Sequence, residues 1–161
     1  MTPILKRGLG LALAVILLDQ ATKLWASSAL GYAQPVPILP GFNLTLMHNP
    51  GAAFSFLGEA SGWQRWFFLA LAVGVSAWLM VWMRALKAHE SWMGFALALI
   101  IGGALGNAID RVWLGYVVDF IDLYWQGYHW PAFNIADSAI TVGAVLLALL
   151  MLFEKKDEPH G

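Results

Sequence analysis

The chain contains no cysteine. Disulfides, thiolate nucleophiles and cysteine-bound metals are therefore excluded. Charge is scarce too: only 12% of the 161 residues are Asp, Glu, Lys or Arg, and the net charge is −1. No basic stretch is interleaved with aromatics, so nucleic acid is not an expected partner. The four histidines, His48, His89, His129 and His160, are isolated, and neither HExxH nor GxSxG occurs. A zinc hydrolase and a serine hydrolase are both left without support.

Apolar residues, in contrast, make up 60% of the chain. Four stretches approach the length of about 20 residues that crosses a bilayer: 8–25, 63–82, 92–112 and 137–153. Stretches of about 17 to 21 residues reach roughly 25 to 31 Å as helix, enough to span with modest tilt. Trp63, Trp66, Trp78, Trp82, Trp92 and Trp113 fall near span ends, as interfacial anchors do. The expected fold class is an all-α membrane protein: one integral membrane domain built as a four-helix transmembrane bundle.

Positive charge orients it. Lys6 and Arg7 precede the first span, Arg84 and Lys87 separate the second from the third, and Lys155 and Lys156 follow the fourth. Both termini and the loop 83–91 are expected on the cytoplasmic side, with loops 26–62 and 112–136 outside. A competing expectation treats Lys6-Arg7, the apolar run and Ala-Ser-Ser-Ala as a cleaved leader. Cleavage would leave an odd number of spans and break the charge pattern. Within 35–57, four prolines rule out a long helix, Phe42 to Leu46 alternates apolar and polar residues, and Asn49-Pro50-Gly51 signals a turn. A small β-sheet on the outer membrane surface is expected there, and a solvated tail in the final EKKDEPHG.

Ionisable residues at membrane depth point to function by default. Here they gather toward one face. Asp110 and Arg111 end the third span, Asp119 follows in an apolar setting of Val117, Val118, Phe120 and Ile121, and Asn134 and Asp137 open the fourth. Asp19 and Lys23 lie near the outer end of the first. Asn107 is three residues from Asp110 and four from Arg111, so all can share a helix face. Asp137 has a structural reading as a helix N-terminal acid, but that leaves Asp119 unexplained. Apolar surroundings and a second carboxylate both raise a carboxyl pKa. Asp119 and Asp137 are thus expected to meet, share a proton, activate water and cleave a peptide bond. Which is the base stays open, because a coupled pair titrates as a unit. Asp122 is expected to be solvated, and His48 and His129 to be surface residues.

With DQATK at 19–23, NPGAAFS at 49–55, GNAIDR at 106–111, VVDF at 117–120 and FNIADS at 133–138, the sequence resembles the lipoprotein signal peptidase (signal peptidase II) family over nearly its whole length. The resemblance implies a bacterial inner-membrane aspartic endopeptidase, working without metal or cofactor. It would remove the signal peptide from diacylglyceryl-modified prolipoproteins by cutting before the lipidated Cys. Asp119 and Asp137 would be catalytic, with Asn49, Asn107, Arg111 and Asn134 lining or bracing the site and Asp19, Lys23 and Asp110 supporting it. It further implies an extracytoplasmic β-cradle at 35–57 and inhibition by globomycin-type cyclic peptides. Membrane lipids are expected partners, and the chain is expected to be a monomer.

Two roles have alternatives. Asp19 and Lys23 are four apart, acid first, which favours a helical ion pair, with substrate or lipid contact as the other reading. Arg111 would either neutralise Asp110 or hold a phosphate-side group. The loops 26–62 and 121–131 are candidate covers for a substrate groove opening sideways between spans. A proton-coupled transporter would distribute polar residues through the membrane depth, and a scaffold would leave the acidic pair without purpose. Neither matches the clustering of ionisable groups near one face.

Overall fold

The computed structural model describes residues 1–51 and 62–154. Four long helices dominate it: α1 (Pro3–Ala29), α2 (Trp63–Ala85), α3 (Ser91–Trp113) and α4 (Ile135–Glu154). All four are long and apolar enough to cross a membrane. Helices run past the expected spans because local chemistry, not hydropathy, ends them. At the start of α1, the Thr2 hydroxyl accepts from Leu5 N at 3.2 Å and proline opens the first turn. Residues 52–55 of the NPGAAFS motif, the end of the 35–57 segment and most of the EKKDEPHG tail lie outside the described residues.

Helix α3 is the central element, with α1, α2 and α4 laid against it. Leu97 and Ile101 on α3 are buried with Leu79 and Met83 of α2 and Ala12 of α1. Small residues bring the other backbones close. A Cβ on Gly102 would stand 2.8 Å from Ala12 O, and one on Gly103 would collide with Ala136 O. Apolar attraction between helices is weak in lipid, so this close approach carries much of the packing. Trp63, Trp66, Trp78, Trp92 and Trp113 project from the bundle, from 47% to 81% exposed.

At one end sits a four-stranded antiparallel sheet of order β1 (Val36–Leu39), β2 (Phe42–Asn49), β3 (Val117–Trp125), β4 (Tyr128–His129). The pairing of β2 with β3 aligns Asn49 with Val117 and Met47 with Asp119, across an irregularity between Leu44 and Met47. The strand β3 is not apparent from its sequence. Val117 to Phe120 are all buried, so no alternation marks it.

Asp122 is not solvated, contrary to expectation. Its side chain is 7% exposed and accepts from Asn43 Nδ2 at 3.2 Å and Thr45 Oγ1 at 2.9 Å, with His129 Nδ1 at 2.7 Å. Burial alone would raise its pKa, but hydrogen bonds from His129, Asn43 and Thr45 outweigh it and hold the carboxyl below its usual value. Asp122 thus ties β2, β3 and β4 together. Because an amide nitrogen in its place would face a donor, Asp122→Asn is expected to destabilise the protein by about 1–3 kcal/mol. Thermal melting measures this; an unchanged Tm would show that the cluster contributes nothing. His48 is likewise more than a surface residue: it lies between the rings of Tyr32, at 4.9 Å, and Tyr116, at 4.1 Å.

Candidate active site

Asp137 occupies the first turn of α4, and Asn134 caps that helix. The Asn134 Oδ1 accepts from Asp137 N at 2.9 Å, and Asp137 Oδ2 accepts from Asn134 N at 3.3 Å. This reciprocal pattern is a capping box with Asn and Asp in place of the usual residues. The helix-terminal reading of Asp137 is therefore part of its role. Its other oxygen, Oδ1, accepts from Asn107 Nδ2 on α3 at 2.7 Å.

Asp119 projects from β3 and is 2% exposed. Its Oδ1 accepts from Asn134 Nδ2 at 2.8 Å and its Oδ2 from Asn49 Nδ2 at 3.0 Å. Asn134 is thus bonded to both carboxylates, through its amide to one and its backbone N–H to the other. Burial pushes the Asp119 pKa up, the Asp137 charge pushes it further, and hydrogen bonds from Asn49 and Asn134 only partly offset this, leaving it at about 7. At neutral pH, Asp119 therefore exists both with and without its proton.

Behind the pair lies a buried ionic network. Lys23 Nζ reaches Asp19 Oδ2 at 2.8 Å, Asp110 Oδ2 at 2.9 Å and Asn107 Oδ1 at 2.9 Å, satisfying all three ammonium donors. Each carboxylate in turn holds backbone next to a candidate catalytic residue. Asp19 Oδ1 accepts from Ala136 N at 2.9 Å, adjacent to Asp137, and Asp110 Oδ2 accepts from Val118 N at 3.0 Å, adjacent to Asp119. Gly106 gives Asp19 room, since a Cβ there would stand 2.7 Å from Asp19 Oδ2. One lysine thereby links the two strands of chain that present the acids.

Helical spacing pairs Lys23 with Asp19 alone and leaves Arg111 as the nearest cation to Asp110. Packing rearranges this: Asp110 pairs with Lys23, while Arg111 Nη1 donates to Asn107 O at 3.3 Å and its guanidinium stacks over Phe68 at 5.2 Å. Gln20 interrupts the first apolar run and lies within DQATK, but it is not among the expected site residues. Its amide donates to Asp110 Oδ1 at 2.8 Å and Gly106 O at 3.2 Å. The available signal is its place beside Asp19 and three residues before Lys23, which puts a further polar group on an apolar helix.

The arrangement suits proton transfer: a buried carboxyl near neutrality beside a second one held by donors. Comparison with known proteins identifies the family. The family model described as Signal peptidase (SPase) II matches residues 11–153. A lipoprotein signal peptidase of Pseudomonas putida is 55% identical over 152 residues, covering 93% of this chain and 89% of its own. One from Acinetobacter baumannii is 56% identical over 153 residues, covering 95% and 87%. Among solved structures, a bacterial membrane enzyme determined by the in meso method at 2.3 Å resolution superposes with a TM-score of 0.84 at 32% identity, over 97% of this chain and 93% of its own. Another, at 1.9 Å resolution, gives 0.83 at 34% identity, with 95% of each chain covered. This four-helix bacterial membrane protein belongs to the signal peptidase II family.

Proposed function

We propose that the chain is an intramembrane aspartic endopeptidase that removes the signal peptide from diacylglyceryl-modified bacterial prolipoproteins, cleaving before the lipidated Cys. What carries the reading is the joining of Asp119 and Asp137 through one residue, Asn134. Membership of the signal peptidase II family supports the substrate class.

Two carboxyls sharing one proton can run both halves of peptide hydrolysis. The ionised member takes a proton from water as that water attacks the scissile carbonyl. The protonated member then gives its proton to the departing amine. Asn49 and Asn107 hold the outer oxygens of the two acids. They keep the carboxyl planes fixed while the charge moves. Arg111, stacked on Phe68 and electrostatically coupled most strongly to Asp137, supplies positive charge next to the pair. A diacylated peptide already lies in the bilayer and would reach the site by lateral diffusion, at the outer face of the inner membrane, with both termini cytoplasmic. The protein would work as a monomer, without cofactor, and globomycin-type peptides would occupy the same site.

The test uses purified protein and a synthetic prolipopeptide, with and without the diacylglyceryl group. Mass spectrometry is expected to place the cut immediately before the modified Cys, only in the lipidated form, and globomycin is expected to block it. Cleavage elsewhere, or equal cleavage of the unlipidated peptide, contradicts the substrate assignment.

A further inference from the structure

A cavity of about 810 Å³ lies between α1, α2 and α3, on the reverse side of the catalytic pair. Its walls are apolar, with Ile16 and Leu17 from α1, Leu69 and Val73 from α2, and Leu105 and Ile109 from α3. Neither Asp119 nor Asp137 lines it, and nor does Asn49 or Asn134. Val118 does, and the strand period sends its neighbour Asp119 to the opposite face. The polar part of its wall is Ser27 together with Gln20, Lys23 and Asp110, the last three bonded within the network described above.

Arg65 does not line the cavity but is hydrogen-bonded to Val112, which does, and its guanidinium lies over the Trp66 ring at 4.9 Å. Arg65 is four residues before Leu69 and eight before Val73, on the same face of α2. Its Nη2 donates to Val112 O at 2.6 Å, next to Trp113 and Leu114 of the cavity wall. Among the described residues that is its one hydrogen bond, and its Nε is buried with no partner. A guanidinium has five donors and matches phosphate geometry. The exposed rings of Trp66 and Trp113 flank this rim, in the manner of side chains at headgroup depth.

A cationic rim over an apolar shaft has the outline of a phospholipid. We infer that this cavity binds an anionic glycerophospholipid from the bilayer, its phosphate at Arg65 and an acyl chain between α1 and α2. The diacylglyceryl group of a prolipoprotein has the chains but no phosphate, so Arg65 would not select it. The bound lipid would press on the Val118, Lys23 and Asp110 wall that supports both acids from behind. This site is independent of the peptidase reading, since its occupancy requires no cleavage.

The test places the full chain in phosphatidylcholine nanodiscs with a phosphatidylglycerol carrying a diazirine in its acyl chain. After photolysis, label is expected on 16–27 and 69–73, at least fivefold above that on the lipid-facing residues Val142, Val145 and Leu149 of α4. Unlabelled phosphatidylglycerol should displace it, and neither diacylglycerol nor a diacylglyceryl-modified peptide should. Arg65→Gln and Val73→Trp are each expected to cut labelling at least fivefold, with Arg65→Lys retaining most of it. Two variants at separate ends of the cavity guard against misfolding of either one. Even labelling across all helices overturns the site, and displacement by diacylglycerol assigns the cavity to the substrate chain instead.

Discussion

Asp119→Asn and Asp137→Asn are each expected to reduce cleavage of a diacylglyceryl-modified prolipopeptide by about 10²–10⁴ or more, the range attributed to a positioned acid or base. The losses should not add in the double variant, because the two carboxyls act on one proton. The folded state should survive. Asn keeps one accepting oxygen while its amide nitrogen meets a donor, so each variant is expected to lose about 1–3 kcal/mol, as at Asp122, with the Lys23 ion pairs to Asp19 and Asp110 left in place. Activity within tenfold of the parent in either variant, at equal folded concentration, would remove that residue from the chemistry.

The second large effect is on stability. Lys23 is 3% exposed and is the cation for Asp19 and Asp110, themselves 0% and 3% exposed. Lys23→Met leaves two buried carboxylates without a counter-charge, a change that costs about 3–5 kcal/mol. At this chain size that corresponds to a fall in Tm on the order of 10 °C. Activity should fall with it even below the melting range, since Asn107 Oδ1 loses the nearer of its two donors and keeps only Asn134 Nδ2, at 3.2 Å, to hold its amide toward Asp137. Replacing all three charged residues by apolar ones of similar size should recover stability but not activity. In that triple variant, Ala136 N and Val118 N lose their acceptors and the catalytic backbones lose their anchors. A Lys23→Met protein that melts with the parent would contradict the network.

Much of this is visible in the sequence, for identifiable reasons. Long apolar runs announce helices because lipid admits few other structures. Asp119 and Asp137 stand out because a carboxylate in apolar company costs free energy that only pairing or function offsets. The strand β3 is hidden because burial of Val117 to Phe120 on both faces erases the period of two. Lys23 reads as an i, i+4 pair because helical spacing reports only neighbours along one helix. Its partners Asn107 and Asp110 are 84 and 87 positions away, and only packing brings them in. The expectation of a solvated Asp122 fails for a similar reason. The polar side of the Phe42–Leu46 alternation, Asn43 and Thr45, would ordinarily face water, whereas here it faces Asp122 on the neighbouring strand.

Infrared titration of the protonated carboxyl C=O stretch in the folded protein is the sharpest measurement. A band of one carboxyl is expected at pH 6, lost on raising the pH with a midpoint near 7. It should be absent from Asp119→Asn and should shift to a lower midpoint in Asp137→Asn, where the neighbouring charge is gone. A spectrum with no protonated carboxyl at pH 6, or a band unchanged in both variants, would mean that these two acids hold no proton between them.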